Sequence, residues 1–114
     1  LFAFALLVQA SAWSAPQYVL RRCAVDGHNL NLRFSGPRDQ VRRFHLTPTA
    51  LVLSGDLRGT TELANIEELR LEPQLAVAYK GGGVVALGPL TPECAAKLRE
   101  AAAKRRIPLR EEAR

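Results

Sequence analysis

Short apolar runs separated by turn formers fill the chain as far as residue 90, and one longer amphipathic stripe closes it. Tyr18 to Val25 and Leu30 to Phe34 are β-prone runs flanking Asp26-Gly27-His28-Asn29, a stretch rich in turn formers, so they predict a hairpin. Ser35-Gly36-Pro37 breaks the chain. Val41 to Leu46 and Ala50 to Ser54 are the next extended runs, joined through Thr47-Pro48-Thr49, where the proline biases Thr47 toward an extended backbone. Between Thr60 and Glu72 the pattern is mixed: Leu63, Ile66 and Leu69 recur at helical spacing, while Leu69 and Leu71 alternate as in a strand. Flanking breakers leave room only for short elements, so the segment divides into a strand over 60–63, a turn over 64–66 and a strand over 67–72. Leu75 to Tyr79 and Val84 to Leu87 then form a second hairpin about Lys80-Gly81-Gly82-Gly83, because three glycines are poorly held inside a helix or strand.

The last element carries helix signals at both ends. Thr91 suits an N-cap, Pro92 the first helical position, and Glu93 the positive end of the helix dipole. Ala95, Leu98, Ala102 and Ile107 approximate one apolar stripe, Lys104, Arg105 and Arg106 fall in the final turn, and Pro108 stops the run. Together these elements predict a mainly β, α+β domain: an antiparallel β-sandwich or partly open barrel with one C-terminal α-helix.

Length sets the domain count. Of the 114 residues, 1–16 form an apolar leader and 110–114 a flexible tail, so residues 17–109 can bury one core and not two. Hydrophobic residues at 47% and charged residues at 24% describe a folding chain, not a disordered one.

The leader contains no charged residue before Arg21. LFAFALLV followed by QASAWSA has the apolar core and small-residue tail of a secretory signal peptide, with Ala10-Ser11-Ala12 as the best cleavage site. The other reading is the end of a transmembrane helix, with Trp13 and Tyr18 at the interface and Arg21 and Arg22 as its flank. Either reading places the domain at a membrane or beyond it, as a membrane-associated or exported, periplasmic protein. Cys23 and Cys94 are the only cysteines, and their wide spacing matches neither a zinc site nor a redox motif. In an exported domain they are candidates for one disulfide; in the cytoplasm they are small apolar core residues.

The net charge of +5 is unevenly placed. From Arg21 to Arg43, six arginines face two aspartates; from Phe44 to Ala96, three basic residues face six acidic ones; from Lys97 to Arg110, six basic residues face Glu100 alone. The candidate binding residues are therefore Arg21, Arg22, Arg42 and Arg43 in the first basic block and Lys104, Arg105 and Arg106 in the last. They make one patch only if the first hairpin and the helix lie side by side.

The segments FHLTPTALVLSG, TTELANIEELRL and LAVAYKGGGVVALGPLTPECAAKLREAAAKR follow the order strand, strand, strand, hairpin, capped helix. Over roughly residues 42–106 this wording resembles the bacterial pleckstrin-homology-like domains, in which a polar-aromatic strand leads into an apolar one and a proline-bearing turn starts the final helix. The arginine-rich hairpin over 17–39 does not align with that family's opening. The resemblance implies two packed antiparallel sheets, or a partly closed barrel, plugged at one end by the helix, and a scaffold or interaction module in place of an enzyme. The expected partners are a protein or a membrane surface: a sheet edge or the arginine-rich hairpin would bind the first, and the basic clusters would hold anionic lipid in the second.

Cys23 with His28 or His45 could be drawn as the nucleophile and base of a small cysteine-dependent hydrolase, but no family signature accompanies them. The two histidines lack helical ligand spacing and have no carboxylate cluster, so neither a metal nor another cofactor is expected. Gly81 to Gly83 has no following Lys-Ser or Lys-Thr and reads as a turn, not a phosphate loop. Glu67, Glu68 and Glu72 read as solvated strand residues. Nucleic acid is not an expected partner, since Phe34 and Phe44 are the only aromatics interleaved with the arginine cluster over 21–43, and stacking platforms usually present several.

Overall fold

The computed structural model describes residues 18–111. The expected leader and the last three residues of the expected tail lie outside them.

β1 (Val19–Asp26) and β2 (Asn29–Ser35) form the first hairpin, tighter than the four-residue stretch suggested. Asp26 pairs with Asn29, leaving a two-residue loop in which Gly27 takes the positive φ of 63° that the first position of a type II′ turn needs. Leu20 pairs with Phe34 and Arg22 with Arg33, so Arg21 is the extra residue of a β-bulge. The physical reason is burial. Leu20 and Cys23 both pack against the core although they stand three residues apart, and only an inserted residue brings both to one face.

β3 (Val41–Leu46), β4 (Ala50–Gly55) and β5 (Gly59–Glu62) continue an antiparallel meander, giving a five-stranded sheet in sequence order. Its inner face buries Leu30, Leu32, Phe34, Phe44, Leu46, Leu51 and Leu53. β6 (Ile66–Arg70), β7 (Leu75–Tyr79) and β8 (Val84–Gly88) form the second sheet, and β9 (Leu109–Arg110) joins it parallel to β6, in the order β8-β7-β6-β9. The two sheets share one core and do not close into a barrel, so the fold is a β-sandwich. Four residues in a row on β7, Leu75 to Ala78, are buried, as befits a central strand covered on both faces.

Two expectations shift. The turn expected over 64–66 falls on Leu63–Asn65, and Ile66 opens β6 because its side chain is wanted in the core, where it is 2% exposed. Arg110, expected to begin a tail, is instead the second residue of β9 and pairs with Arg70; Leu71 N–H donates to the Arg110 carbonyl at 2.9 Å.

The helix α1 (Pro92–Arg105) forms as its signals predict. Thr91 Oγ1 accepts from Cys94 N–H at 3.2 Å, with Pro92 and Glu93 in the first turn. Cys94, Ala95, Leu98 and Ala102 are its buried stripe, and the stripe packs into the core beside β2. Arg106 ends the helix in a left-handed conformation, φ 58°, while Ile107 N–H donates to the Ala102 carbonyl at 2.9 Å and turns the chain toward β9.

At the opposite end, Tyr18 anchors the start of the sandwich. Its ring lies under the Arg42 guanidinium, 3.9 Å from centroid to carbon, and its hydroxyl donates to Asp56 Oδ2 at 2.6 Å, with the Gln40 amide 3.0 Å away. Burial, and then the hydrogen bond to Asp56, raise the Tyr18 pKa above its ordinary value of 10.0. Folding therefore holds the proton more tightly than the unfolded chain does. The associated stability is complete below pH ~10 and is lost as pH rises from there through the folded pKa. Tyr18→Phe is expected to show a smaller alkaline fall in thermal midpoint than the parent; an unchanged alkaline limb would place the titration elsewhere.

Candidate functional site

Directly opposed residues in an antiparallel sheet share a face, so register decides which arginines meet. Arg22 pairs with Arg33, Arg33 with Arg43, and Arg43 with Ser54, which sets a row of three arginines and a serine across β1 to β4. All three arginines are exposed. The row lies on the outer face, since Leu32 and Phe34 on either side of Arg33 are buried inward. One step along the strands, Ala24, Asn31, His45, Val52 and Thr60 form the next outer row. Within it, Asn31 Oδ1 and His45 Nδ1 are hydrogen-bonded. A groove of about 400 Å³ runs over the two rows and has no acidic residue in its lining.

The groove is electrostatically unbalanced. Arg42 has Asp56, Arg70 and Arg110 share Glu68, Arg99 has Glu111, and Lys104 has Glu100. Arg22, Arg33 and Arg43 have no carboxylate partner among the described residues. Like charges placed directly opposite one another destabilise a sheet, so the row costs the fold something and gives it no compensating ion pair.

The seven candidate binding residues are divided by the fold. Arg21, the bulge residue, stands with Arg22 opposite Arg33, and Arg43 completes the row. Arg42 does not join them. It pairs with Phe34 on the inner face, where it stacks on Tyr18, bonds Asp56 at 3.2 Å and donates to the Ala86 carbonyl at 2.7 Å, tying the two sheets together. Arg105 is also committed internally, donating to the Thr47 carbonyl at 2.8 Å, to Ala101 at 3.0 Å and to the His28 carbonyl, so that it fastens the end of α1 to two sheet turns. Burial lowers its pKa. Lys104 and Arg106 remain exposed. Helix and hairpin are thus neighbours, but the bonds between them use up one of the cations that a joint patch needs. Arg33 is the member that the sequence reading did not single out.

A second groove of about 630 Å³ lies between α1 and the first hairpin, lined among others by Val25, His28, Pro48, Leu63, Lys97 and Lys104. Its lining sets Lys97, Lys104, Arg105 and Arg106 against Glu100 alone, beside apolar Val25, Leu30, Pro48 and Leu63; Lys104 is paired with Glu100 and Arg105 is committed to backbone carbonyls.

Cys23 and Cys94 come together: both belong to the core packing, the Cys23 thiol is near enough to raise the Cys94 pKa, and neither is in a disulfide. The structure does not bring Cys23 to a histidine base. Cys23 lies opposite Leu32 on the inner face, His45 lies on the outer face against Asn31, and His28 is in the hairpin turn. Among the described residues, no group of three His, Cys, Asp or Glu side chains converges, and no helix is long and apolar enough to cross a membrane. The chain matches no protein-family model, no curated protein and no solved structure.

Proposed function

We propose that this chain is a non-catalytic interaction module of pleckstrin-homology-like fold, membrane-proximal or exported, that meets an anionic partner through the outer face of its five-stranded sheet. The carrying observation is the register-aligned row Arg22, Arg33, Arg43, a set of opposed like charges with no counter-ion among the described residues. Opposed like charges cost the sheet stability, and an anionic partner would supply the missing charge. The element order supports the fold assignment: an antiparallel meander, a second sheet begun by a three-strand run, then a capped helix packed into the core. The apolar leader supports the location.

The test compares two triple variants with equal loss of charge on a sulfated-polysaccharide column. One carries Arg22→Gln, Arg33→Gln and Arg43→Gln; the other carries Lys97→Gln, Lys104→Gln and Arg106→Gln on the helix. The sheet variant is expected to elute at clearly lower salt and the helix variant near the parent. Equal elution of the two would reduce the effect to net charge and remove this face from the function.

A further inference from the structure

Building on the reading of this face as the one that meets an anionic partner, we infer that the row Arg22–Arg33–Arg43–Ser54 is a binding site for a phosphomonoester dianion. A single carboxylate carries one negative charge and two oxygens, enough for one guanidinium fork, and leaves two opposed cations unneutralised. A phosphomonoester carries about −1.5 to −2 at neutral pH and three terminal oxygens, one for each arginine of the row. Neighbouring strands lie about 4.8 Å apart, so the outer two arginines start about 10 Å from each other with Arg33 between them, a span that long side chains close onto one tetrahedral anion. Ser54 extends the row with a neutral hydroxyl donor.

The rest of the groove agrees. Asn31 and His45, bonded to each other, form the polar row beside the arginines, and no lining carboxylate repels an anion. Phe44 is the one phenylalanine, tyrosine or tryptophan in the lining and is fully buried, so beyond the imidazole of His45, itself bonded to Asn31, the face offers no stacking platform to a nucleic-acid base. A phosphodiester also carries only one charge. The same dianion is presented by a lipid headgroup such as phosphatidic acid and by small soluble phosphates, and the two sources are separated by experiment.

The test uses the full chain and thermal shift at constant ionic strength, with inorganic phosphate, acetate and a glutamate decamer as probes. Phosphate is expected to raise the melting midpoint saturably and to bind at least tenfold more tightly than acetate. Arg33→Gln is expected to weaken phosphate binding at least tenfold while raising the ligand-free midpoint by about 2–5 °C, because it relieves two opposed like-charge pairs. Binding falls while stability rises, a combination that damage to the fold would not give; Arg43→Gln, which relieves one pair, is expected to show the same signs more weakly. Co-sedimentation with phosphatidic acid vesicles, absent with phosphatidylcholine vesicles and lost in Arg33→Gln, identifies the lipid source. Phosphate binding without sedimentation identifies a soluble one. Equal effects of phosphate and acetate, or phosphate binding undiminished in Arg33→Gln, overturn the site. If phosphate is inert but the glutamate decamer binds through Arg33, the phosphomonoester assignment fails and the anionic-partner reading stands; if neither binds, both fail.

Discussion

Phe34→Ala is expected to lower the unfolding free energy by about 3–5 kcal/mol, a large share of the roughly 5–15 kcal/mol that a native domain has in reserve. The ring is fully shielded and sits where three elements meet. Within the first sheet it lies between Leu20 on β1 and Arg42 on β3. From the second sheet, Gly88 approaches so closely that a Cβ there would stand 2.6 Å from the ring, so the end of β8 rests on Phe34 with no side chain between them. Packing that tight leaves little room to collapse around a truncated side chain, and the cavity term adds to the lost transfer energy. Urea titration should show a midpoint lower by about 2 M, while Val84→Ala, at a site 51% exposed, should stay within about 0.5 kcal/mol of the parent. A loss below about 1 kcal/mol at Phe34 would mean that the two sheets do not close over it. The site depends on the same packing, because Arg33 is aimed outward only while Leu32 and Phe34 are held inward.

That dependence also explains which parts of the molecule could be read from the chain. Strands β2, β3 and β4, the Gly-rich hairpin and the capped helix announce themselves locally, through apolar runs, breakers and a Thr-Pro-Glu start. The bulge at Arg21 does not. It exists because Leu20 and Cys23 must share a face, and that need is visible only once the core is known. β9 has even less local signal: Leu109 and Arg110 become a strand because β6 offers them an open edge after the helix turns back. The arginines show the same division. Arg42 and Arg43 are neighbours of one type, yet they differ in parity relative to Phe44 and Leu46, which puts Arg42 inside against Asp56 and Arg43 outside in the row. Parity was available in the sequence and would have picked out Arg33, flanked by Leu32 and Phe34. Cross-strand register was not available, and only register turns separate arginines into one row.

Oxidising the parent protein with glutathione disulfide is expected to link Cys23 to Cys94 and to raise stability by about 4 kcal/mol. Two thiols give up two protons and two electrons, and one glutathione disulfide becomes two glutathiones. The figure follows from chain entropy: the bond would close a loop of roughly seventy residues in the unfolded state. The folded state already makes the two thiols neighbours, Cys23 on the inner face of β1 and Cys94 in the first turn of α1. Access, not distance, should control the rate. Cys94 is 1% exposed, and burial, followed by the neighbouring Cys23 thiol, pushes its pKa far above the ordinary value, so little thiolate forms near neutrality. Oxidation should therefore be slow at pH 7 and accelerate as pH rises. It should also accelerate in mild denaturant, which favours opening of the packing that covers Cys94. The half-buried Cys23 should be the first to form a mixed disulfide with glutathione. Intact mass, loss of free thiol and a urea midpoint that reverts with dithiothreitol measure the outcome, with Cys94→Ser as the variant that cannot respond. A bond that forms but leaves the midpoint unchanged or lower would show that β1 and α1 are not held in the relation described here.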